Sequence, residues 1–307
     1  MAYTALDVKE LREKTGVGMM DCKKALEASD GDMDKAIEFL REKGLAAATK
    51  KAGRIAAEGV VLAYTDEEKA ISVLVEVNAE TDFVAKNEVF QNFVLQVAKT
   101  VAYENPADVD ALLNTKLYGD ERTVQENLQD KILAIGENMK VRRFERVEGV
   151  AVSYIHGRAR GVLVTFDTDA ETANKDEFKT MGKDVAMQVA ALNPTYLDPD
   201  SIPAEVIERE KEIEIAQMKA DPKMANKPEQ ILAKIVEGKM GKYYSEVCLM
   251  NQPFVKDDKV SVAKYVEGVA KKLGADIKVT GFICMVKGEG LEKREENFAN
   301  EIASMIK

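Results

Sequence analysis

The stretch Gly59-Val60-Val61-Leu62-Ala63-Tyr64 recurs ninety residues later as Gly149-Val150-Ala151-Val152-Ser153-Tyr154. In each, a glycine opens a run of strand-favouring residues and a tyrosine follows five positions on. Each run then returns through Val-Leu-Val, at Val73-Leu74-Val75 and at Val162-Leu163-Val164. Further along, Phe90 matches Phe178, Val97-Ala98 matches Val185-Ala186, and Val101-Ala102 matches Val189-Ala190. Both copies close in Asn-Pro, at Asn105-Pro106 and Asn193-Pro194, and the offset is 88 throughout the helical half. Two apolar strands joined by a turn and followed by an amphipathic helix make a small α+β layer. Two such layers imply a duplicated core.

The repeat is most informative where it fails. Before its helix the first copy reads Ala79-Glu80-Thr81-Asp82-Phe83-Val84-Ala85-Lys86-Asn87, and the second reads Thr168-Asp169-Ala170-Glu171-Thr172-Ala173-Asn174-Lys175-Asp176. Local pattern alone allows Phe83 to fold back into the core behind a helix cap. The second copy, however, has small and polar residues in place of Phe83-Val84. A phenylalanine that the twin does without is not required by the fold, so Phe83 is expected to face outward.

Around this core the chain is mostly helical. Residues 5 to 43 read as three short helices: Val8, Leu11 and Arg12 on the first, which ends near Thr15-Gly16; Cys22 to Leu26 on a second, with Asp21 as its N-cap; and Met33, Ile37 and Leu40 on a third. The pattern resembles a three-helix domain of the ubiquitin-associated type. Met19 and Met20 lie in its first interhelical turn, either as core filling or as an adaptable apolar contact surface. Leu45 to Arg54, basic and alanine-rich, reads as a solvated linker. Val124, Leu128, Ile132 and Ile135 mark a helix closing near Gly136, and Val141 to Val147 a strand. After the second copy, Pro203 opens two amphipathic helices about a proline-bearing turn, an αα-hairpin. Strand signals return at Glu246 to Val255 and Ile277 to Val286, with a helix between them at Val262, Val266 and Val269. Leu291 to Ile306 carries a last helical stripe of Phe298, Ile302 and Met305.

The fold class is therefore α+β: an N-terminal three-helix unit, a duplicated core of small antiparallel sheets with helices, an inserted helical hairpin and a C-terminal helix. The divisions fall at 1–54, 55–147, 148–288 with the hairpin at 203–243, and 289–307.

Composition narrows the chemistry. In 307 residues there is one histidine, no tryptophan and three cysteines, with a net charge of −10. A nucleic-acid binder normally offers a basic face, so direct nucleic-acid binding is not expected. No apolar run approaches the roughly 18 residues of a membrane span. The odd, widely spaced Cys22, Cys248 and Cys284 suit a reducing cytoplasm and oppose both a disulfide framework and a zinc site. A Ser-His-Asp or Cys-His arrangement would have to use His156. Neither a GxxxxGK[ST] loop nor a GxGxxG turn is present, so no cofactor is expected. Two alternatives remain open: a non-catalytic helical adaptor or scaffold, and an enzyme in which two of Cys22, Cys248 and His156 converge.

Two segments are similar to the signatures of the bacterial translation elongation factor Ts family: Leu11-Arg12-Glu13-Lys14-Thr15-Gly16-Val17-Gly18-Met19-Met20-Asp21-Cys22-Lys23-Lys24-Ala25-Leu26, and Thr81-Asp82-Phe83-Val84-Ala85-Lys86-Asn87. Tyr154-Ile155-His156-Gly157, Gly281-Phe282 and Gly288-Glu289-Gly290 support the resemblance, which covers essentially the whole chain. The chain departs from the pattern at Ala79, where many relatives carry cysteine, and in the more basic turn Arg158-Ala159-Arg160. The resemblance implies a cytoplasmic guanine-nucleotide exchange factor for elongation factor Tu that does no covalent chemistry. It implies that Thr81, Asp82, Phe83 and Val84 enter the partner's nucleotide-binding domain near its magnesium site. It places Arg12, Met19 and Met20 on the same partner domain and His156 on another. In some relatives the helical hairpin mediates self-association.

Overall fold

The computed structural model describes residues 3–220 and 229–292; the helix expected over 291–306 lies, apart from Leu291 and Glu292, outside the described residues. Three helices open the chain, α1 (Ala5–Thr15), α2 (Met19–Ala28) and α3 (Met33–Lys51). Thr4 and Asp7 form a capping box at the start of α1, and Gly16, at φ 69°, ends it in the left-handed conformation that glycine adopts most cheaply. Val8, Leu11, Val17, Cys22, Ala25, Leu26, Ala36 and Leu40 form the core between the three helices.

Two expectations about this region need correction. Helix α2 begins at Met19 with Gly18 as its N-cap, so Asp21 sits inside the first turn instead of capping it. The Gly18 carbonyl accepts the first intrahelical bonds from the N–H groups of Asp21 and Cys22. The Asp21 carboxylate is held instead by Lys43 of α3. The supposed linker is also largely helix, because α3 continues through Lys51. Alanine favours helix, and tertiary contact supports the extension: Gly44 is buried, and the Lys51 ammonium donates to the Ile132 carbonyl at 3.4 Å.

The duplicated core follows. Its first half comprises β1 (Glu58–Asp66), β2 (Ile71–Ala79), α4 (Asp82–Lys86), α5 (Glu88–Glu104), α6 (Val109–Asn114), α7 (Val124–Ile135) and β3 (Met139–Glu148). Its second half comprises β4 (Val150–His156), β5 (Arg160–Asp167), α8 (Ala170–Ala173), α9 (Asp176–Leu192), α10 (Ala204–Ala220), α11 (Glu229–Val247), β6 (Pro253–Phe254), β7 (Asp257–Ser261), α12 (Val262–Leu273) and β8 (Lys278–Val286). Both main sheets are antiparallel and three-stranded, in the orders β1-β2-β3 and β4-β5-β8. In each half the third strand arrives only after a helical excursion and pairs with the second. Both central strands carry a register shift near the same point, between Glu76 and Val77 and between Thr165 and Phe166.

The two sheets pack face to face, with α5 and α9 on the outer faces. Val73, Val75 and Val77 point toward Phe90 and Phe93 of α5, whereas Leu74 of the same strand meets Leu163 and Met285 of the other sheet. Val162 and Val164 face Phe178 and Met181 of α9. Burial on both faces explains why Val73-Leu74-Val75 and Val162-Leu163-Val164 are unbroken apolar runs and not alternating ones. The two outer helices end alike, Asn105 and Asn193 adopting left-handed φ values of 46° and 47°.

The hairpin is present as α10 and α11, packed through Met218, Leu232, Val236 and Met240. The strand expected over Glu246–Val255 is mostly not a strand. Glu246 and Val247 finish α11, Cys248 makes an isolated bridge to Tyr196, Leu249–Asn251 is a 3-10 turn, and only Pro253–Phe254 forms a strand. The apolar residues that suggested a strand are buried by a turn instead: Leu249 and Phe254 face the core beside α12.

Candidate functional site

The exposed corner between β2 and α5 is built from sharply different neighbours. Strand β2 ends at buried Ala79, where a larger side chain would have to fit within the core. Glu80 and Thr81 turn the chain and α4 begins at Asp82. Within this single helical turn Val84 and Ala85 are buried against the α5 layer, while Asp82 and Phe83 face out. Phe83 is 79% exposed, more than any other large apolar residue among those described. Asn87 then stops the turn and starts α5: its N–H donates to the Val84 carbonyl, and its side chain accepts from the N–H of Val89 at 2.8 Å.

The charges at the corner are local. Lys86 donates to Asp82 at 2.6 Å, and this bond, together with the ammonium's charge, holds the Asp82 carboxyl below the usual aspartate range. The same ammonium lies 5.8 Å from the centre of the Phe83 ring. The pair is exposed, so it contributes little to stability. It does set one ammonium beside both the Asp82 carboxylate and the Phe83 ring.

Beneath the corner lies a polar frame that no spacing or motif in the sequence signals. Thr81 donates twice to Glu137, from its N–H at 3.0 Å and from its hydroxyl at 2.7 Å. The Asn138 N–H donates to Glu80 at 2.6 Å, and the Asn138 amide donates to the Arg54 carbonyl at 2.8 Å. Deeper in the sheet, the buried Glu76 carboxylate accepts from Arg142 at 3.0 Å, Arg143 at 2.7 Å, Asn78 at 3.0 Å and the Gly288 N–H at 2.7 Å. Burial, the largest single influence, pushes the Glu76 pKa up. The Gly288, Asn78, Arg143 and Arg142 hydrogen bonds together outweigh it, and the carboxyl is held below the ordinary glutamate range. Gly288, at φ 67°, has no room for a Cβ beside the Ala57 carbonyl, so its approach to Glu76 requires glycine. Only the glycine spacing at Gly288-Glu289-Gly290 hinted at this junction.

The remaining expected residues lie elsewhere. Arg12 is exposed on α1, and Met19 and Met20 project into solvent from the first turn of α2, so they do not fill the core. His156 ends β4 at an exposed turn, its Nδ1 3.0 Å from the Tyr154 hydroxyl. That turn is fixed from both sides: the Arg158 carbonyl accepts the Val61 N–H at 3.0 Å, and the Ala159 carbonyl accepts the Lys287 N–H at 2.7 Å. Arg160, the second arginine of the basic turn, donates to the Ala190 carbonyl.

The residues a thiol or imidazole enzyme would need are dispersed through the fold. Cys22 is buried in the three-helix core, and Cys248 is buried after α11 with its thiol pushed up to about 11, mainly by burial. Neither is a ready nucleophile. Among the described residues no group of three or more histidine, cysteine or carboxylate side chains could hold a metal ion. Among them, too, no helix is long and apolar enough to cross a membrane.

The family model described as Elongation factor TS matches residues 80–289, which begins at the exposed corner and ends at the Gly288 junction. The chain is 50% identical over 304 residues to the Elongation factor Ts of Clostridium novyi (strain NT), covering 97% of both chains. It is 51% identical over 306 residues to that of Clostridium perfringens (strain 13 / Type A), covering 98% of both. With the Elongation factor Ts of Syntrophotalea carbinolica it shares 47% identity over 311 residues, covering 100% of each chain. An α+β protein with small antiparallel sheets, aligned end to end with these relatives, belongs to the elongation factor Ts family of translation factors.

Proposed function

We propose that this protein is a guanine-nucleotide exchange factor for elongation factor Tu, using Thr81, Asp82, Phe83 and Val84 to disturb the GTPase's magnesium site without covalent chemistry of its own. One observation carries the reading: a 79% exposed phenylalanine stands on a turn whose other apolar residues are buried. When the outer helices α5 and α9 are matched at their offset of 88 residues, the place of Phe83 falls on exposed Glu171, one residue before the small and polar pair that the strings alone set against Phe83-Val84. An exposed ring costs solubility, and a chain that omits it from one repeat and retains it in the other has a use for it there.

The physics suits a wedge. A rigid aromatic anchor, with few rotatable bonds, concentrates binding energy at one point. Magnesium demands near-ideal octahedral geometry, so a small displacement of the groups that support it weakens both ion and nucleotide. Asp82, hydrogen-bonded to Lys86, brings a carboxylate acceptor to the residue next to the ring. By linkage, bound GDP weakens the complex as much as the complex weakens GDP.

The exposed Met19 and Met20, with Arg12, form a second contact in this proposal, on the outer face of a three-helix unit of ubiquitin-associated type spanning residues 1–54. His156 forms a third, on the second repeat, 148–288. The helical hairpin, 203–243, is the candidate for self-association. Release of labelled GDP from elongation factor Tu tests the reading: wild type accelerates it, and Phe83→Ala blunts the acceleration. An adaptor without exchange activity leaves the spontaneous rate unchanged.

A further inference from the structure

We propose that Glu137 is a positioning residue that holds the Thr81 corner at the angle from which Phe83 acts; the inference rests on the exchange-factor reading above. Helix α4 has five residues, too few to be stable as an isolated helix. Its N-cap, Thr81, makes no capping bond to the helix. Instead both Thr81 donors go to one carboxylate, the N–H to Glu137 Oε2 at 3.0 Å and the hydroxyl to Glu137 Oε1 at 2.7 Å. Two charge-assisted bonds to one group fix direction as well as distance.

The base of this clamp is firm. Glu137 directly follows Gly136, which ends α7 at φ 88°, and α7 is seated in the core through Val124, Leu128 and Ile132. The neighbouring bonds run the other way, with Asn138 donating to Glu80, so the two loops hold each other reciprocally. In the second repeat the N-cap that corresponds to Thr81, 88 residues on, is Asp169, and it caps its own helix. Its carboxylate accepts the Thr172 N–H at 2.8 Å and the Thr172 hydroxyl at 2.8 Å. The repeat without a protruding aromatic is capped locally. The repeat that bears Phe83 gives up its local cap and is anchored to a distant helix. A wedge displaces its target only if its own support does not yield. A local cap would stiffen the turn but leave it able to swing about its ends, whereas the Glu137 clamp ties it to α7.

The test compares wild type, Glu137→Ala, Glu137→Gln, Thr81→Val and the Glu137→Ala/Thr81→Val double variant in release of labelled GDP from elongation factor Tu. The maximal release rate and the concentration giving half of it are measured separately. Glu137→Ala is expected to lower the maximal rate about tenfold, as loss of a charge-assisted clamp would, with the half-maximal concentration changed by no more than about twofold. Glu137→Gln keeps one acceptor and falls between the two. The double variant is no slower than its slower single, because both substitutions break one interaction. In the free protein, hydrogen exchange at the Thr81 amide accelerates in Glu137→Ala. If Glu137→Ala fails to fold, Thr81→Val and Glu137→Gln carry the same comparison. Wild-type release rates in Glu137→Ala and Glu137→Gln, or an unchanged Thr81 amide, would each overturn the proposal while leaving the exchange-factor reading intact. Wild type that fails to accelerate release would instead refute the exchange-factor reading, and this inference with it.

Discussion

Phe83 and Val84 are adjacent on one helical turn, yet Phe83 is 79% exposed and Val84 only 5%. The turn points one side chain at solvent and the next into the α5 layer, so neighbouring substitutions are expected to have opposite signatures. Phe83→Ala should leave the unfolding free energy within about 0.5 kcal/mol of wild type while removing most of the proposed exchange activity. Val84→Ala should cost about 1–2 kcal/mol, the transfer and cavity cost of buried methyl groups. Chemical denaturation alongside nucleotide-release kinetics separates the two.

The buried Glu76 makes acid stability informative. Its folded-state pKa lies below the unfolded value, so the stability it confers is fully present above the ordinary glutamate pKa of about 4.3. That contribution is lost as pH falls through the lower, folded value. Glu76→Gln should therefore flatten the acid limb of the stability curve. Near neutral pH it should cost about 3–5 kcal/mol, because Arg142 and Arg143 lose the carboxylate that compensates them. An acid limb as steep as that of wild type would show that other carboxylates govern it.

The two strand-opening glycines are matched in sequence but not in surroundings. A Cβ on Gly59 would overlap the Val77 carbonyl, and the residue sits at φ 119°. A Cβ on Gly149, at φ 96°, would meet nothing. Gly59→Ala is expected to destabilise by more than about 2 kcal/mol and Gly149→Ala by about 1–2 kcal/mol, the latter from backbone strain alone. Thermal unfolding of both variants tests the order.

Phe90 and Phe178 fill the corresponding positions of the two outer layers, each essentially without solvent exposure. Truncating either to alanine should cost about 3–5 kcal/mol, and the similarity of the two costs would be the energetic trace of the duplication. A cost below about 1 kcal/mol at one site would mean that its layer collapses around the cavity.

The exposed methionines of α2 offer a complementary check. Met19→Ala and Met20→Ala should leave thermal stability almost unchanged, since neither side chain is in the three-helix core. They should weaken complex formation with elongation factor Tu by up to about tenfold each if this face is a contact. Titration calorimetry distinguishes that outcome from a passive surface.

Much was legible in the chain itself. The repeat, the apolar periods and the paired Asn-Pro endings determined two α+β layers, because hydrophobic spacing reports directly on which face is buried. The absence of Phe83 from the second copy determined its outward direction, since a residue dispensable in one layer is not packing the other. Where the fold departs from the local pattern, a tertiary contact outweighs a local preference. Lys43 holds Asp21 inside α2 while Gly18 caps it, and packing on α7 carries α3 through a stretch that reads as linker. The clamp of Thr81 by Glu137 and the junction of Glu76 with Gly288 join residues 56 and 212 positions apart. No periodicity encodes them, because each exists only after two sheets and a helix have closed. That a ring would protrude is written in the repeat; what holds its turn in place exists only once the sheets and α7 have packed together.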